Sequence, residues 1–258
     1  MKITDGGVCA AKGFSANGVH CGIRKSKIKK DLSLIVSDVT ASCAAVYTTN
    51  AVFGAPITVT RSHLKDGRAK ACICNSGIAN TCCAGGVETA NEICLAAAET
   101  LGCKAEDIVI ASTGVIGQPL DPAPIKAALP ALAAGLNENG SEAAAAGIMT
   151  TDTVKKEIAV EFELGGKTCH IGGIAKGSGM IHPNMATMLV FITSDVSISP
   201  ALLKKALSSD IKNTFNMISI DGDTSTNDMV TVLCNGMAGN AEITEENADY
   251  ETFMTALN

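Results

Sequence analysis

Residues 176–189 read Lys-Gly-Ser-Gly-Met-Ile-His-Pro-Asn-Met-Ala-Thr-Met-Leu, and they indicate more about the fold than any other stretch. Two glycines and a proline in this stretch favour an irregular, sharply turning backbone. The run 188–193 is apolar and rich in branched side chains, which is typical of a buried strand. Thr187 is therefore expected where a constrained loop enters a core strand, a place where a side chain can be held rigidly for chemistry.

The composition narrows the class of protein. The chain has 258 residues, enough for one large domain or two smaller ones, and is 47% apolar but only 3% aromatic. A net charge of −6 argues against a nucleic-acid partner, and no apolar stretch is long enough for a membrane helix. The 11 cysteines are scattered through apolar surroundings and lack zinc-finger spacing, so neither a disulfide scaffold nor a metal site is expected. A reduced, cytoplasmic protein is predicted.

Periodicity predicts strands and helices that alternate without a regular βαβ repeat. We therefore expect an α/β fold, a layered sandwich with mixed strand directions and not a doubly wound sheet. The predicted strands are 32–36, 69–74, 107–111, 158–164 with its hairpin partner 169–173, and 229–234. The predicted helices are 87–101, 125–148 with a break near 137–141, and 199–210.

The last residues keep helical apolar spacing up to Asn258. Tyr250, Phe253, Met254 and Leu257 share one face, and nothing in the sequence follows that would cover it. We expect a chain that is truncated here, with this face frayed or buried against another copy.

A threonine hydroxyl is a weak nucleophile unless a base lies beside it. His182 is the only histidine near Thr187, and five residues across a proline turn do not give a dependable base geometry. Breaking the Ala186–Thr187 peptide bond would instead place the α-amine of Thr187 next to its own hydroxyl, with a typical pKa of about 7.7–8.0. The same hydroxyl could cause that cleavage by attacking the Ala186 carbonyl.

Such chemistry develops an oxyanion, which needs hydrogen-bond donors. The run Ser-Thr-Gly-Val-Ile-Gly at 112–117, expected just beyond a strand end, offers the Thr113 hydroxyl and the Gly114 amide. Lys176, in the glycine-rich loop before Thr187, could hold a substrate carboxylate. The acidic stretch 221–228 lacks the glycine and glutamate of an EF-hand, so we expect a hydrogen-bonded supporting loop.

Several ordered motifs together resemble one family. They are Gly-Ile-Arg-Lys-Ser at 22–26 with Asp-Leu-Ser-Leu-Ile-Val-Ser-Asp at 31–38, Asn-Ser-Gly at 75–77, 112–117, Met-Thr-Thr-Asp-Thr at 149–153, Lys-Gly-Ser-Gly-Met at 176–180, Pro-Asn-Met-Ala-Thr-Met at 183–188, and 221–228. This set, spread over nearly the whole chain, resembles the bifunctional ornithine acetyltransferase (glutamate N-acetyltransferase) family of arginine biosynthesis, called the ArgJ family.

The resemblance implies self-cleavage between Ala186 and Thr187 into an α chain (1–186) and a β chain (187–258 here). It implies Thr187 as the acetylated nucleophile, Thr113 and Gly114 as the oxyanion hole, and Thr150, Lys176 and Thr187 as substrate-binding residues. The implied reaction moves acetyl from N2-acetylornithine to glutamate without a cofactor, in an α2β2 oligomer of N-terminal-nucleophile type. Acetyl-CoA as a further donor remains open. Family members continue past the point matching Asn258 and carry further site residues there.

Two other functions compete with this one. A related self-processing aminopeptidase or amidohydrolase would use the same nucleophile but pass the acyl group to water. An inactive fragment would fold, or pair with a partner, without turnover.

Overall fold

The computed structural model describes residues 1–180 and 188–258. The strands in these ranges are β1 (Lys2–Thr4), β2 (Phe14–Val19), β3 (Leu32–Tyr47), β4 (Arg68–Ile78), β5 (Ile108–Val115), β6 (Lys156–Leu164), β7 (Lys167–Lys176), β8 (Leu189–Ser194) and β9 (Met229–Cys234). The α-helices are α1 (Ala55–His63), α2 (Gly86–Leu101), α3 (Ala123–Ala134), α4 (Ser141–Ile148), α5 (Pro200–Asp210) and α6 (Ala248–Leu257).

These strands form one mixed sheet in the order β1-β6-β7-β8-β9-β3-β4-β5, with β2 also paired to β3. The pairs β4–β5 and β8–β9 are parallel, and the remaining pairs are antiparallel. The long strand β3 joins two arms of the sheet, because its first half pairs with β2 and β4 and its second half with β9. Its register shifts between Val36 and Ala41, and such irregularities bend a strand.

Three buried clusters show how the layers stack. One contains inward side chains of both arms, such as Cys74 and Val109 from one arm and Leu189 and Phe191 from the other. The second cluster lies between the β3–β4–β5 arm and helices α2 and α3, and the third between the other arm and helices α5 and α6. The order is therefore helices, sheet arm, sheet arm, helices. The predicted layered α/β sandwich is confirmed.

Several local predictions are confirmed because turn and cap chemistry determined them. Leu164 pairs with Lys167 across a two-residue turn in which Gly165 and Gly166 have φ values of +57° and +73°. Positive φ at both central residues is what this class of hairpin turn requires. The hydroxyl of Ser199 accepts a hydrogen bond from the Leu202 amide at the start of α5.

Three local expectations were wrong. Strand β5 continues through Val115, because the segment after Ala111 pairs with β4 as far as Ile78. Strand β7 continues to Lys176, which pairs with Leu189 and so does not lie in the glycine-rich loop.

The third wrong expectation concerns the apolar face of α6. Tyr250 and Phe253 are only 4% and 0% exposed, because they pack in the same buried cluster as Phe162 and Leu164 of β6. This face is therefore covered within the chain itself, and not frayed or left for another copy.

The segment after residue 187 is part of the same sheet as the segment before it. Strand β8 pairs with β7 on one side and β9 on the other, and β9 pairs with β3. Division into chains at Ala186–Thr187 stays a prediction, since both residues lie outside the described ranges. Within those ranges no helix is long and apolar enough to cross a membrane.

Candidate active site

The predicted nucleophile Thr187 and cleavage residue Ala186 lie outside the described residues, and Met188 is the first described residue after them. The Met188 amide donates a 2.7 Å hydrogen bond to Oδ1 of Asp228. The Met188 carbonyl accepts a 3.0 Å hydrogen bond from the Met229 amide. The start of β8 is thus fixed to the last residues of the 221–228 loop.

Asn227 ties that loop to the segment that contains Thr113. Its side-chain Nδ2 donates to the carbonyls of Ala79 at 2.7 Å and Ser112 at 2.9 Å. Its Oδ1 accepts a 2.6 Å hydrogen bond from the Thr81 hydroxyl. The interpretation of 221–228 as a hydrogen-bonded loop is confirmed.

Thr113 lies on β5, directly after the carbonyl that Asn227 holds. Its side chain is largely buried, with the residue 7% exposed. Within residues 1–180 and 188–258 the Thr113 hydroxyl has no hydrogen-bond partner. This hydroxyl oxygen is not among the fully enclosed side-chain atoms, so it is open to a hydrogen bond with a ligand atom.

Gly114 pairs with Gly77 across the parallel strands β5 and β4. Both have positive φ, +132° at Gly114 and +113° at Gly77. A Cβ on Gly114 would lie 2.2 Å from the Gly77 carbonyl carbon. Only glycine fits at this position, which explains why a residue without a side chain interrupts strand β5.

Asn75 supports the same place from β4. Its Oδ1 accepts a 2.6 Å hydrogen bond from the Ser112 hydroxyl, and its Nδ2 donates to the Ile78 carbonyl at 2.9 Å. Ser76 donates through its hydroxyl to the Gly147 carbonyl of α4 at 2.7 Å. Side chains of β4 and of the 221–228 loop therefore both hold Ser112, the residue before Thr113.

Lys176 ends β7, and the residue is only 4% exposed. Its Nζ lies 3.4 Å from the Thr150 hydroxyl, so the structure brings these two predicted substrate-binding residues together. Burial lowers the pKa of the Lys176 ammonium, and the nearby Asp152, Cys74 and Asp228 offset part of that effect. Because Asp228 also binds the Met188 amide, Lys176 belongs to the same cluster as the start of β8.

Asp152 organises the backbone around Lys176 and Thr150. Its Oδ1 accepts from the Gly177 amide at 2.9 Å and from Lys156 at 2.6 Å, and its Oδ2 accepts from the Thr150 amide at 3.2 Å. Burial alone would raise the pKa of Asp152, but these three hydrogen bonds hold it below its usual value. Arg24 adds a further link by donating to the Met149 carbonyl.

The sequence missed Asp152 and Asn75 as organising residues. Both lie inside quoted motifs, and each is a polar residue in an otherwise unlikely place: Asn75 in a buried strand and Asp152 beside two threonines. Cys74, the cysteine near Lys176, is not an alternative nucleophile, since burial raises the pKa of its thiol to about 12. All 11 cysteines are free thiols.

Comparison with known proteins now identifies the family. The family model for the ArgJ family matches residues 15–258. The chain belongs to the ArgJ family. The arginine biosynthesis bifunctional protein ArgJ of Symbiobacterium thermophilum is 48% identical over 259 aligned residues, which cover 100% of this chain and 64% of that protein. The chain thus spans less than two thirds of the length of the curated ArgJ relatives it matches.

Solved structures agree with this assignment. An ArgJ protein from Bacillus halodurans superposes with a TM-score of 0.66 at 41% identity, covering 71% of this chain and 95% of that one. An ornithine acetyltransferase from Mycobacterium tuberculosis, solved with ornithine, superposes with a TM-score of 0.64 at 31% identity, and the alignment covers 73% of this chain and 99% of that one. An aminopeptidase of Ochrobactrum anthropi with a variant Ntn-hydrolase fold superposes with a TM-score of 0.59 at 11% identity, and the alignment covers 97% of this chain and 82% of that one. At this low identity the similarity shows only that the fold is shared.

Proposed function

We propose that this ArgJ-family chain carries the nucleophile part of an acetyltransferase that moves acetyl from N2-acetylornithine to glutamate through an acetyl-Thr187 intermediate. The observation that carries the proposal is the convergence of three groups through Asn227 and Asp228. These groups are the unpartnered Thr113 hydroxyl, the buried Lys176–Thr150 pair, and the start of β8 directly after Thr187.

The first step is cleavage of the chain. The Thr187 hydroxyl oxygen attacks the Ala186 carbonyl carbon, and the Ala186–Thr187 C–N bond breaks as an ester forms. Water then hydrolyses the ester, which frees the carboxylate of Ala186 and the hydroxyl and α-amine of Thr187. The tight attachment of Met188 to Asp228 supports this step, because it would hold the reacting residue against rotation.

Acetyl transfer follows with the α-amine of Thr187 as base. The amine accepts the hydroxyl proton, the oxygen attacks the acetyl carbonyl of N2-acetylornithine, and ornithine leaves with that proton on its amino nitrogen. The amine of glutamate then attacks the acetyl ester, which gives N-acetylglutamate and restores Thr187. Thr113 and the Gly114 amide are proposed to bind the oxyanion in each half-reaction.

Lys176 is proposed to bind the α-carboxylate that both substrates share. Its ammonium is buried, so its attraction to a carboxylate is screened less than at the surface. A bound carboxylate would in turn favour the charged form and raise the lowered pKa of Lys176. Thr150, 3.4 Å from Nζ, would complete the contact through its hydroxyl.

The solved relatives supply a second line of support. The alignments cover 95% and 99% of the two solved chains, but only 71% and 73% of this chain. These shares of 258 residues are about 183 and 188 residues, close to the 186 residues of the proposed α chain. A polypeptide of that length is expected from a family whose precursor is cleaved at this point.

Intact-mass measurement tests the proposal. The purified wild-type chain should give two polypeptides with their junction at Ala186–Thr187, and Thr187→Ala should give one. Incubation with N2-acetylornithine should then add the mass of one acetyl group to the polypeptide that begins at Thr187. An uncleaved wild type of confirmed fold, or acetylation elsewhere, would contradict the proposal.

The same experiment separates transfer from hydrolysis. In a transferase the acetyl-Thr187 species persists until glutamate is added, whereas a hydrolase loses it to water. The finer features are proposals too. They are use of acetyl-CoA as a second donor, chemistry without a resident cofactor, an α2β2 oligomer, and a cytoplasmic location. Replacing N2-acetylornithine with acetyl-CoA in the mass experiment tests the first of these.

A further inference from the structure

A cavity lies along the second half of β3. Its volume is about 730 Å³, which is within the range of ligand-binding clefts. Its floor is β3 from Cys43 to Tyr47. One wall comes from α1 and the turn after it, and the other from α5. Of the proposed site residues that the structure describes, Thr113, Gly114, Thr150 and Lys176, none lines this cavity.

The floor of the cavity is an open strand edge. Strand β4 begins at Arg68, which pairs with Ser42, and the last backbone bond on that side is from the Cys43 amide to the Gly67 carbonyl at 2.7 Å. Backbone groups of an antiparallel strand alternate in direction, so those of Ala45 point to the same side as Cys43. Among residues 1–180 and 188–258, the Ala45 amide and carbonyl have no hydrogen-bond partner on that side.

The walls of the cavity are positively charged although the chain has a net charge of −6. Arg61, Lys65 and Lys204 all line it, are exposed, and form no ion pair within the described ranges. The only acidic residue in the lining is Asp66, and its Oδ1 accepts the Arg68 amide at 3.0 Å. The Arg61 guanidinium is held 4.8 Å from the centroid of the Tyr47 ring.

We propose that this groove binds an extended acidic segment of a partner polypeptide, which adds a strand to the open edge of β3 at Cys43–Tyr47. Strand addition satisfies the backbone groups of Ala45, and carboxylates of the added segment pair with Arg61, Lys65 and Lys204. A five-residue edge corresponds to about 17 Å of extended chain, so a segment of about five to seven residues fits it. Charge complementarity selects an acidic segment, because the free cations flank the edge on both sides.

Peptide binding to the whole chain tests the proposal. The probes are seven-residue peptides that alternate Glu with Val, in a native form and in a form N-methylated at alternate residues, so that the charge is kept while backbone donors are removed. Binding is followed by fluorescence anisotropy at low salt, and hydrogen exchange of the Ala45 amide reports the place of binding. The native peptide should bind saturably and slow exchange at Ala45, and the methylated peptide should not.

Charge-reversal variants add a second readout. The double variant Lys65→Glu/Lys204→Glu should weaken binding about tenfold, since two attractive pairs become repulsive. Arg61 is left in place because it stacks on Tyr47 and Phe53. Lys27→Glu, an exposed lysine outside the cavity, should leave binding within about twofold.

Three outcomes would overturn the proposal. Equal binding of both peptides would make the groove a simple anion site. No binding of either would mean that the cations only protect the edge from strand pairing. A change in the mass of the free protein in solution caused by the double variant would make the occupant a second copy of this chain.

Discussion

Asn227 and Ser112 are 115 residues apart in sequence, and a 2.9 Å hydrogen bond joins the Asn227 side chain to the Ser112 carbonyl. The next residue on one side is Asp228, which binds the Met188 amide, and the next on the other side is Thr113. One amide side chain therefore sets the position of the proposed oxyanion donor relative to the strand that follows Thr187.

Asn227→Ala should impair both folding stability and chemistry. Its loss removes the side-chain donor to the Ser112 carbonyl and one of the two side-chain donors to the Ala79 carbonyl, at a cost of about 1–3 kcal/mol. Asn240→Ala is the matched control, since Asn240 is equally buried at 8% and bonds through its side chain to Ser197 and Ala241. Urea unfolding should show similar losses for both, whereas only Asn227→Ala should slow cleavage and acetylation of Thr187. Equal slowing would make Asn227 merely structural.

Thr113→Ala should slow the chemistry without changing the fold. The hydroxyl has no partner in the described structure, so the free energy of unfolding should change little. Loss of one oxyanion donor typically costs a factor of about 10²–10³ in rate. The rate of acetyl-Thr187 formation measures this, and Thr113→Ser should restore most of it. A rate unchanged in Thr113→Ala would remove this residue from the mechanism.

Gly114→Ala should be far more destabilising than Gly117→Ala. Both residues have positive φ, so each substitution carries a backbone cost of about 1 kcal/mol. A Cβ at Gly117 meets nothing within 4 Å, whereas at Gly114 it lies 2.2 Å from Gly77 backbone. The difference between their midpoints of thermal unfolding isolates the contact. Similar midpoints would show that β4 and β5 can separate freely.

Lys176→Met should abolish carboxylate binding and leave the protein as stable as wild type or more so, by about 0.5–2 kcal/mol. The pKa of Lys176 is lowered in the folded state, so burial of its charge costs stability below that pKa. This cost decreases as the pH rises from the folded-state pKa toward the pKa of lysine in the unfolded chain, about 10.4. Chemical unfolding should show that the difference in free energy of unfolding between variant and wild type is smaller at alkaline pH than at neutral pH. A large loss of stability at neutral pH would contradict the stated cost.

Asp152→Asn should lower stability at neutral pH and raise KM for both substrates. The pKa of Asp152 is lowered in the folded state, so its contribution is present above the unfolded value of about 3.9 and is lost as pH falls through the folded pKa. Chemical unfolding should show that the difference in free energy of unfolding between Asp152→Asn and wild type is smaller in acid than at pH 7. Glu106→Gln, at an exposed residue, is the control and should change the free energy of unfolding at pH 7 by no more than about 0.5 kcal/mol.

The fold was predictable from sequence wherever a local rule applied. The paired glycines 165–166, the Ser-Pro start of α5 and the apolar run of β9 each specify one structure by turn geometry, capping or composition. The bend of β3 was not predictable, because Ser37, Asp38 and Thr40 interrupt the apolar pattern while backbone pairing continues to Tyr47. Pairing with distant strands, which no local pattern shows, determines that length.

The candidate site, like the fold, was predictable in the features that local motifs show and not in those that depend on distant contacts. Thr113, Gly114, Thr150 and Lys176 were chosen from motifs, and their roles stay predictions. Neither the burial of Lys176 nor its contact with Thr150 was visible in the sequence, where a lysine beside glycines indicates a solvated loop. The groups that act on its charge, such as Cys74 of β4 and Asp152, are remote from Lys176 in the chain.

The position of β8 and β9 inside the sheet has a consequence for the two pieces that the proposed cleavage would give. Residues 188–258 supply neighbouring strands that bond β7 on one side and β3 on the other. Breaking one peptide bond before them therefore removes no ladder and releases no subunit. The cleaved molecule would behave as a split protein whose two pieces share one cooperative unfolding transition, with the Met188 amide of the second piece bound to Asp228.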